Sequence, residues 1–173
     1  MSVTAVRLGG PDDFWRLREI EASAAETFTL AGDPLADGSP ATSLVAFRAA
    51  VEVGCLWVLE DCAEGLIGFL AGEIAEHGLY IKEIDVVMNH QRKGHGRRLM
   101  QWVIDWARAE GLGSVTLTTF RDVAWNAPFY ASLGFVEIPQ PALSARLISI
   151  LQDQAARGFD LRRRCAMRLT LGH

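Results

Sequence analysis

Little in this chain points to a covalent or metal-held framework. Cysteine is scarce, and Cys55, Cys62 and Cys165 form an odd set without Cys-x-x-Cys spacing, so reduced, structural thiols are expected in place of a disulfide scaffold. The histidines, His77, His90, His95 and His173, are dispersed without ligand spacing, and no metal site is expected. An excess of positive charge is missing too. The formal charge of −4 argues against a general nucleic-acid binder, which displaces counterions with a net basic surface. No apolar run approaches the roughly 20 residues that span a bilayer. Met1 to Leu8 lacks the charged-then-apolar order of a secretory leader. The expectation is a cytoplasmic protein without a membrane partner. With no repeat, low-complexity tract or linker, and with 50% hydrophobic residues to fill a core, residues 1–173 read as one domain.

What is present is an alternation of short strands and amphipathic helices. Val3 to Leu8 alternates as a strand and closes at Gly9-Gly10-Pro11. Asp12 or Asp13 can cap a helix through about Thr27, with Phe14, Leu17, Ile20 and Ala24 on one stripe. A loop dense in breakers, Gly32 to Pro40, leads to a second helix near Thr42 to Val53. Two helices joined in this way suit a wall that admits a substrate. Cys55–Glu60 and Leu66–Ile74 read as a hairpin, and Glu76-His77-Gly78 turns the chain into Leu79–Met88, completing an antiparallel meander.

The next helix, about Gly94 to Glu110, buries Leu99, Val103, Trp106 and Ala107 and ends at Gly111-Leu112-Gly113. Ser114 to Thr119 is the following strand. A strand, a crossover helix and a strand form a right-handed parallel pair, so Leu79–Met88 and Ser114–Thr119 belong side by side. A loop from Phe120 to Asn126, a short helix to Leu133, a strand Phe135–Ile138, a helix Leu143–Ala156 and a closing strand Arg163–Leu171 complete the chain.

The chemistry gathers in Glu83 to Met100, where an apolar strand breaks into the turn Gln91-Arg92-Lys93-Gly94-His95-Gly96 and resumes as a helix. The glycines leave main-chain N–H groups bare, and the helix start adds unpaired donors and a partial positive charge. Arg92, Lys93, Arg97 and Arg98 surround that pole, so the turn suits a pyrophosphate or similar anion. It is not a Walker A loop, because Gly96 is followed by Arg97 and Arg98. It is not a dinucleotide fingerprint either, because Leu99 stands where a third glycine belongs.

This turn, the element order and the segment Asn126-Ala127-Pro128-Phe129-Tyr130-Ala131-Ser132-Leu133-Gly134-Phe135 together resemble the GNAT superfamily of N-acetyltransferases. The resemblance implies an α/β (α+β) fold: a mixed, mostly antiparallel sheet of about seven strands with a central, splayed parallel pair and helices on both faces. It implies acetyl-CoA as co-substrate and no metal. The pyrophosphate would lie on the turn formed by Gln91, Arg92, Lys93, Gly94, His95, Gly96 and Arg97, and the pantetheine arm on the main chain of Val86, Val87 and Met88.

The implied reaction is direct attack of a primary amine, on a small molecule or a protein, through a tetrahedral intermediate. Tyr130 stands at the family position often filled by the acid that protonates the leaving thiolate; a packed aromatic with a satisfied hydroxyl is the alternative. Glu83 and Asp85 alternate with apolar residues and should share one strand face, where either can take the amine proton directly or through water. Family usage favours Glu83, although some members work without a dedicated base. A solvated or ion-paired carboxylate is the structural alternative.

Some positions depart from the family pattern. Val123 replaces an Asn seven residues before the tyrosine, Thr118 replaces a Glu used by some peptide N-terminus acetylating members, and Met88 replaces a proline. Phe120, Arg121, Asp122 and Trp125 can line an acceptor cleft, with Arg121 or Asp122 equally suited to a loop-stabilising pair. Arg162-Arg163-Arg164 reads as a solvated turn. A second reading keeps the fold and the CoA site in a catalytically silent sensing module. Exposed strand edges and the extra helix Leu143–Ala156 are compatible with a homodimer.

Overall fold

The computed structural model describes residues 3–32 and 43–172. The breaker loop between the first two helices therefore lies largely outside the described residues. In chain order the elements are β1 (Thr4–Leu8), α1 (Phe14–Leu30), α2 (Leu44–Glu52), β2 (Leu56–Asp61), β3 (Gly65–Ala75), β4 (Gly78–Val86), α3 (His95–Ala109), β5 (Ser114–Phe120), α4 (Ala127–Ala131), β6 (Val136–Glu137), α5 (Ala145–Ala156) and β7 (Arg164–Thr170). All seven strands form one sheet in the order β1-β2-β3-β4-β5-β7-β6. Neighbours are antiparallel except β4 and β5. This is the mixed, mostly antiparallel sheet expected from the sequence.

Helix starts follow their caps. Ser43 and Ser144 each accept from the N–H three residues on, which sets the starts of α2 and α5 slightly later than the apolar pattern alone placed them. Asp13 does not cap α1 in the expected way. Its carboxylate turns back to the Gly10 N–H at 2.9 Å and takes two bonds from Arg7, tying β1 to the helix entrance. The stripe Phe14, Leu17, Ile20 and Ala24 is the buried face of α1. From α3, Leu99, Met100, Val103, Ile104 and Ala107 enter the same core, with Trp106 packed at its margin against Trp57 at 4.8 Å.

Two irregularities of β4 open the sheet near its centre. Parallel pairing with β5 covers only Leu79 with Val115, Tyr80 with Thr116 and Ile81 with Leu117. On the other edge, Ala71 pairs with Glu83 and Gly72 with Ile81, so Lys82 is an extra residue and the strand bulges there. A bulge bends its strand and increases its twist. The bend falls where β4 parts from β5.

Gly78 opens β4 beside β5, and a Cβ there would stand 2.7 Å from the Ser114 carbonyl oxygen, which belongs to the backbone and has no room to move aside. Gly78→Ala is therefore expected to push the parallel pair apart and to cost about 1–3 kcal/mol, read as a lower urea midpoint at unchanged m-value.

Candidate active site

Where β4 leaves β5, a cavity of about 940 Å³ opens between the two strands. Ala24, Thr27 and Phe28 of α1 and Ser43 and Ala46 at the start of α2 contribute to its lining, so the two helices do form a wall of the site.

One end of the cavity is the turn before α3. Gly94 has φ +88°, a left-handed conformation that β-carbon-bearing residues resist, and Arg92 is held at φ +60°. Among the described residues, the N–H groups of Arg92 to Arg97 have no main-chain acceptor, and the first helical bond is from Arg98 N to Gly94 O at 3.0 Å. That leaves a cluster of donors at the positive pole of a 15-residue helix. Gly96 lies inside α3 with ordinary geometry. A Cβ there would meet only Phe129 Cζ at 3.8 Å, so this glycine keeps the cavity open without being needed for the fold. Arg92, Gly94, Gly96 and Arg97 line the cavity. Arg97 is steadied by Ser132 Oγ at 2.8 Å and by the Phe129 ring. These bare donors and cations fit the pyrophosphate of acetyl-CoA.

Other residues of the expected donor site have different surroundings. Gln91 lines the cavity, but its own N–H bonds to Met88 O, while its side chain donates to Val86 O at 3.0 Å and accepts from Thr27 Oγ1 at 2.9 Å. It clamps the end of β4 to α1. Val87 donates to Ile67 O and Met88 donates to Ser23 Oγ, and neither belongs to the lining. Lys93 and His95 also lie outside the lining. His95 packs beside His90, and burial and that neighbour push its pKa down. His90 itself is buried against Glu64 at 2.9 Å. Arg98, counted among the cations around the pole, bonds Thr4 instead.

The middle of the cavity carries ionisable groups. Glu83, Asp85 and Tyr130 all line it, which brings the three expected catalytic residues together. Alternation beyond the bulge places Glu83 and Asp85 on one side. Burial, followed by the nearby Glu21 carboxylate, raises the pKa of Glu83 to about 7. Asp85 is raised well above the usual carboxylate range by burial, then by Glu83 and Glu21. Carboxylates gathered in a poorly solvated space resist ionising together, so the pair holds a proton near neutrality. The Tyr130 hydroxyl has no hydrogen-bond partner among the described residues, and burial together with the two carboxylates keeps it protonated.

The far end is aromatic and holds residues that the sequence pattern did not single out. Phe120 and Trp125 were expected there; Phe28, Phe159, Gln154 and Arg164 join them. Arg164 corrects the reading of the arginine run. Arg162 is exposed and paired with Asp160, and Arg163 reaches Asp122 at 2.8 Å, but Arg164 is half-buried and turned into the cavity. Nothing in the sequence separates it from its two neighbours; its pairing with Phe120 on β5 does. Arg121 pairs with Glu137 at 2.7 Å, so both charged residues of the 121–122 segment hold the loop by partners elsewhere.

The Acetyltransferase (GNAT) family model matches residues 16–135, and the chain belongs to that family. The reaction that membership carries is acetyl transfer from acetyl-CoA, which makes the protein an acetyl-CoA-dependent N-acetyltransferase. Among solved structures, the chain superposes with a TM-score of 0.70 on the ribosomal-protein-S18-alanine N-acetyltransferase of Escherichia coli, at 17% identity over 99% of this chain and 96% of that one. Ard1 of Thermoplasma volcanium gives 0.69 at 18% identity, covering 98% and 99% of the two chains. A GNAT family acetyltransferase of Brucella melitensis in complex with acetyl-CoA gives 0.60 at 16%, covering 99% and 90%. At these identities the likeness is one of fold.

The raised carboxyl of Glu83 has a consequence for stability. In the native state it keeps a proton that the unfolded chain releases near pH 4.5, so its contribution to stability is fully present below that pH and is lost as pH rises toward about 7. Glu83→Gln removes this loss and relieves Asp85. The stability of the variant relative to the native chain is expected to grow between pH 4.5 and 8 by on the order of 2 kcal/mol, measured by urea unfolding at each pH.

Proposed function

We propose that residues 1–173 form one acetyltransferase domain in which the turn at Arg92 to Arg97 holds the donor, the Glu83–Asp85 pair takes the proton of an incoming primary amine, and Tyr130 supplies a proton to the departing sulfur. The observation that carries this reading is that the proton-sharing carboxylates and the unpartnered Tyr130 hydroxyl line one cavity with the bare N–H groups of the α3 turn.

Acetyl-CoA, when bound, supplies an acetyl group activated as a thioester. The N–H groups of Arg92 to Arg97 and the Arg92 and Arg97 side chains bind the pyrophosphate; Lys93 and His95 act there through the main chain. Among the described residues, the β5-facing edge of β4 has no strand partner beyond Ile81, so Lys82 to Val86 present main-chain groups to the pantetheine arm. The role implied for Val86, Val87 and Met88 thereby centres on Val86 and the residues before it, since the Val87 and Met88 N–H groups are already bonded. A carboxyl with a pKa near 7 is well matched to taking a proton at neutral pH. Glu83 is the preferred base, with Asp85 sharing its proton. Tyr130, held protonated, has a proton to give.

The free thiols of Cys55, Cys62 and Cys165 support a reducing, cytoplasmic compartment. The exposed β6 edge, where Val136 is 69% exposed, supports self-association as a homodimer.

Acceptor-dependent release of CoA thiol across a panel of amines tests the reading; CoA binding without release from any amine would instead leave a silent module. Tyr130→Phe is expected to lower kcat by about 100-fold or more while the CoA dissociation constant, measured by calorimetry, moves less than about twofold. Gly96→Leu should fold normally yet weaken CoA binding by about tenfold or more, because its side chain projects where the anion lies.

A further inference from the structure

The far end of the cavity has no task in donor binding. The Phe28 ring lies 5.8 Å from Phe120 and 5.5 Å from Trp125, and Phe120 lies 5.9 Å from Phe159. These four rings line that end of the cavity together with Arg157 and Arg164, and Arg163 also stands over Phe120 at 5.3 Å. The Arg164 guanidinium stands 4.5 Å over Phe120 and 5.2 Å over Phe159.

Its protein partners are neutral. Nε donates to Gln154 Oε1 at 3.0 Å, and Nη2 lies a marginal 3.5 Å from Thr118 Oγ1. Thr118 Oγ1 is already engaged by Gln154 Nε2 at 2.8 Å and by the Tyr80 hydroxyl at 3.0 Å. Among the described residues no carboxylate forms an ion pair with Arg164, whereas Arg121 and Arg163 each have one. Glu83 is near enough for the two charges to influence each other without touching. A half-buried guanidinium has lost part of its hydration, and a neutral amide and hydroxyl restore little of it. The planar fork therefore has charge and donors to offer a carboxylate, which it matches in geometry.

We propose that the acceptor is a free amino acid with an aromatic side chain: its amine faces Glu83 and Asp85, its carboxylate sits on the Arg164 fork, and its ring enters the recess of Phe28, Phe120, Trp125 and Phe159. This rests on the acetyltransferase reading and narrows it to a substrate class. A polyamine brings no carboxylate to that cation. Gln154, Phe159 and Arg164 lie beyond residue 135, outside the stretch that the family model matches, while Phe28, Phe120 and Trp125 lie within it. Forming the amide N–C bond breaks the thioester C–S bond. Of the two protons shed by the substrate ammonium, one ends on the sulfur and the other leaves through the carboxylate pair.

The test compares L-phenylalanine with phenethylamine, which lacks the carboxylate, and with spermidine, using the whole protein and acetyl-CoA. Calorimetric binding of N-acetyl-L-phenylalanine to the CoA-loaded protein gives a readout that needs no turnover. L-phenylalanine is expected to exceed phenethylamine in kcat/KM by on the order of 100-fold. Arg164→Gln should erase that preference chiefly by raising KM for phenylalanine and should weaken N-acetyl-L-phenylalanine binding to match. Arg164→Lys should recover part of both. Equal or better turnover of phenethylamine or spermidine by the native protein, or an Arg164→Gln loss that is the same for all amines, would overturn the inference while leaving the acetyltransferase intact. If N-acetyl-L-phenylalanine binds in an Arg164-dependent way but no amine is turned over, the carboxylate site stands and the catalytic reading fails.

Discussion

Only three residue pairs, from Leu79 with Val115 to Ile81 with Leu117, hold the parallel strands together, and the site depends on what happens after the third. There the extra residue Lys82 bends β4, and the strand runs on to Val86 joined to β3 alone. Main-chain groups on its free edge become available to a ligand, and the space between the strands becomes the cavity. Had pairing continued, Glu83 and Asp85 would lie along a closed sheet. Close approach at Gly78 fixes one end of the divergence, and the Gln91 clamp on Val86 and Thr27 fixes the other.

Charge is distributed along that cavity in an order that suits the reaction. The positive pole of α3 and its arginines lie at one end, the carboxylates in the middle, and Arg164 among aromatic rings at the other. Burial sets the chemistry of each group. It raises the carboxyls until they share a proton near neutrality, keeps Tyr130 protonated, and leaves Arg164 with charge that its neutral neighbours do not offset. The carboxylates that disfavour one another's ionisation also favour a cationic amine between them and the donor.

Local patterns made the helix stripes, the strand alternation and the α3 turn legible from sequence. The stripe Phe14, Leu17, Ile20 and Ala24, the helical spacing after Gly96 and the alternation of Glu83 and Asp85 are short-range signals that the packing obeys. The turn was readable because glycine spacing reports backbone conformation, and Gly94 has the left-handed φ that the spacing suggested. The bulge at Lys82 left no such mark, since it is a property of the pairing between strands. Arg164 was hidden for a related reason: within Arg162-Arg163-Arg164 the three residues look alike, and only pairing of Arg164 with Phe120 across β5 and β7 turns one of them inward. The aromatic end of the cavity is assembled from α1, the loop after β5, α5 and β7, so its composition depends on tertiary structure.

The central claim is that the splayed strands enclose a carboxylate pair that holds a proton at neutral pH. Side-chain carboxyl NMR titration tests it most directly, with Glu83→Gln and Asp85→Asn for assignment. A carboxyl resonance titrating near pH 7, and absent or shifted downward in each variant, is the expected result; titration of both groups between about pH 3.5 and 5, like exposed carboxylates, would contradict it.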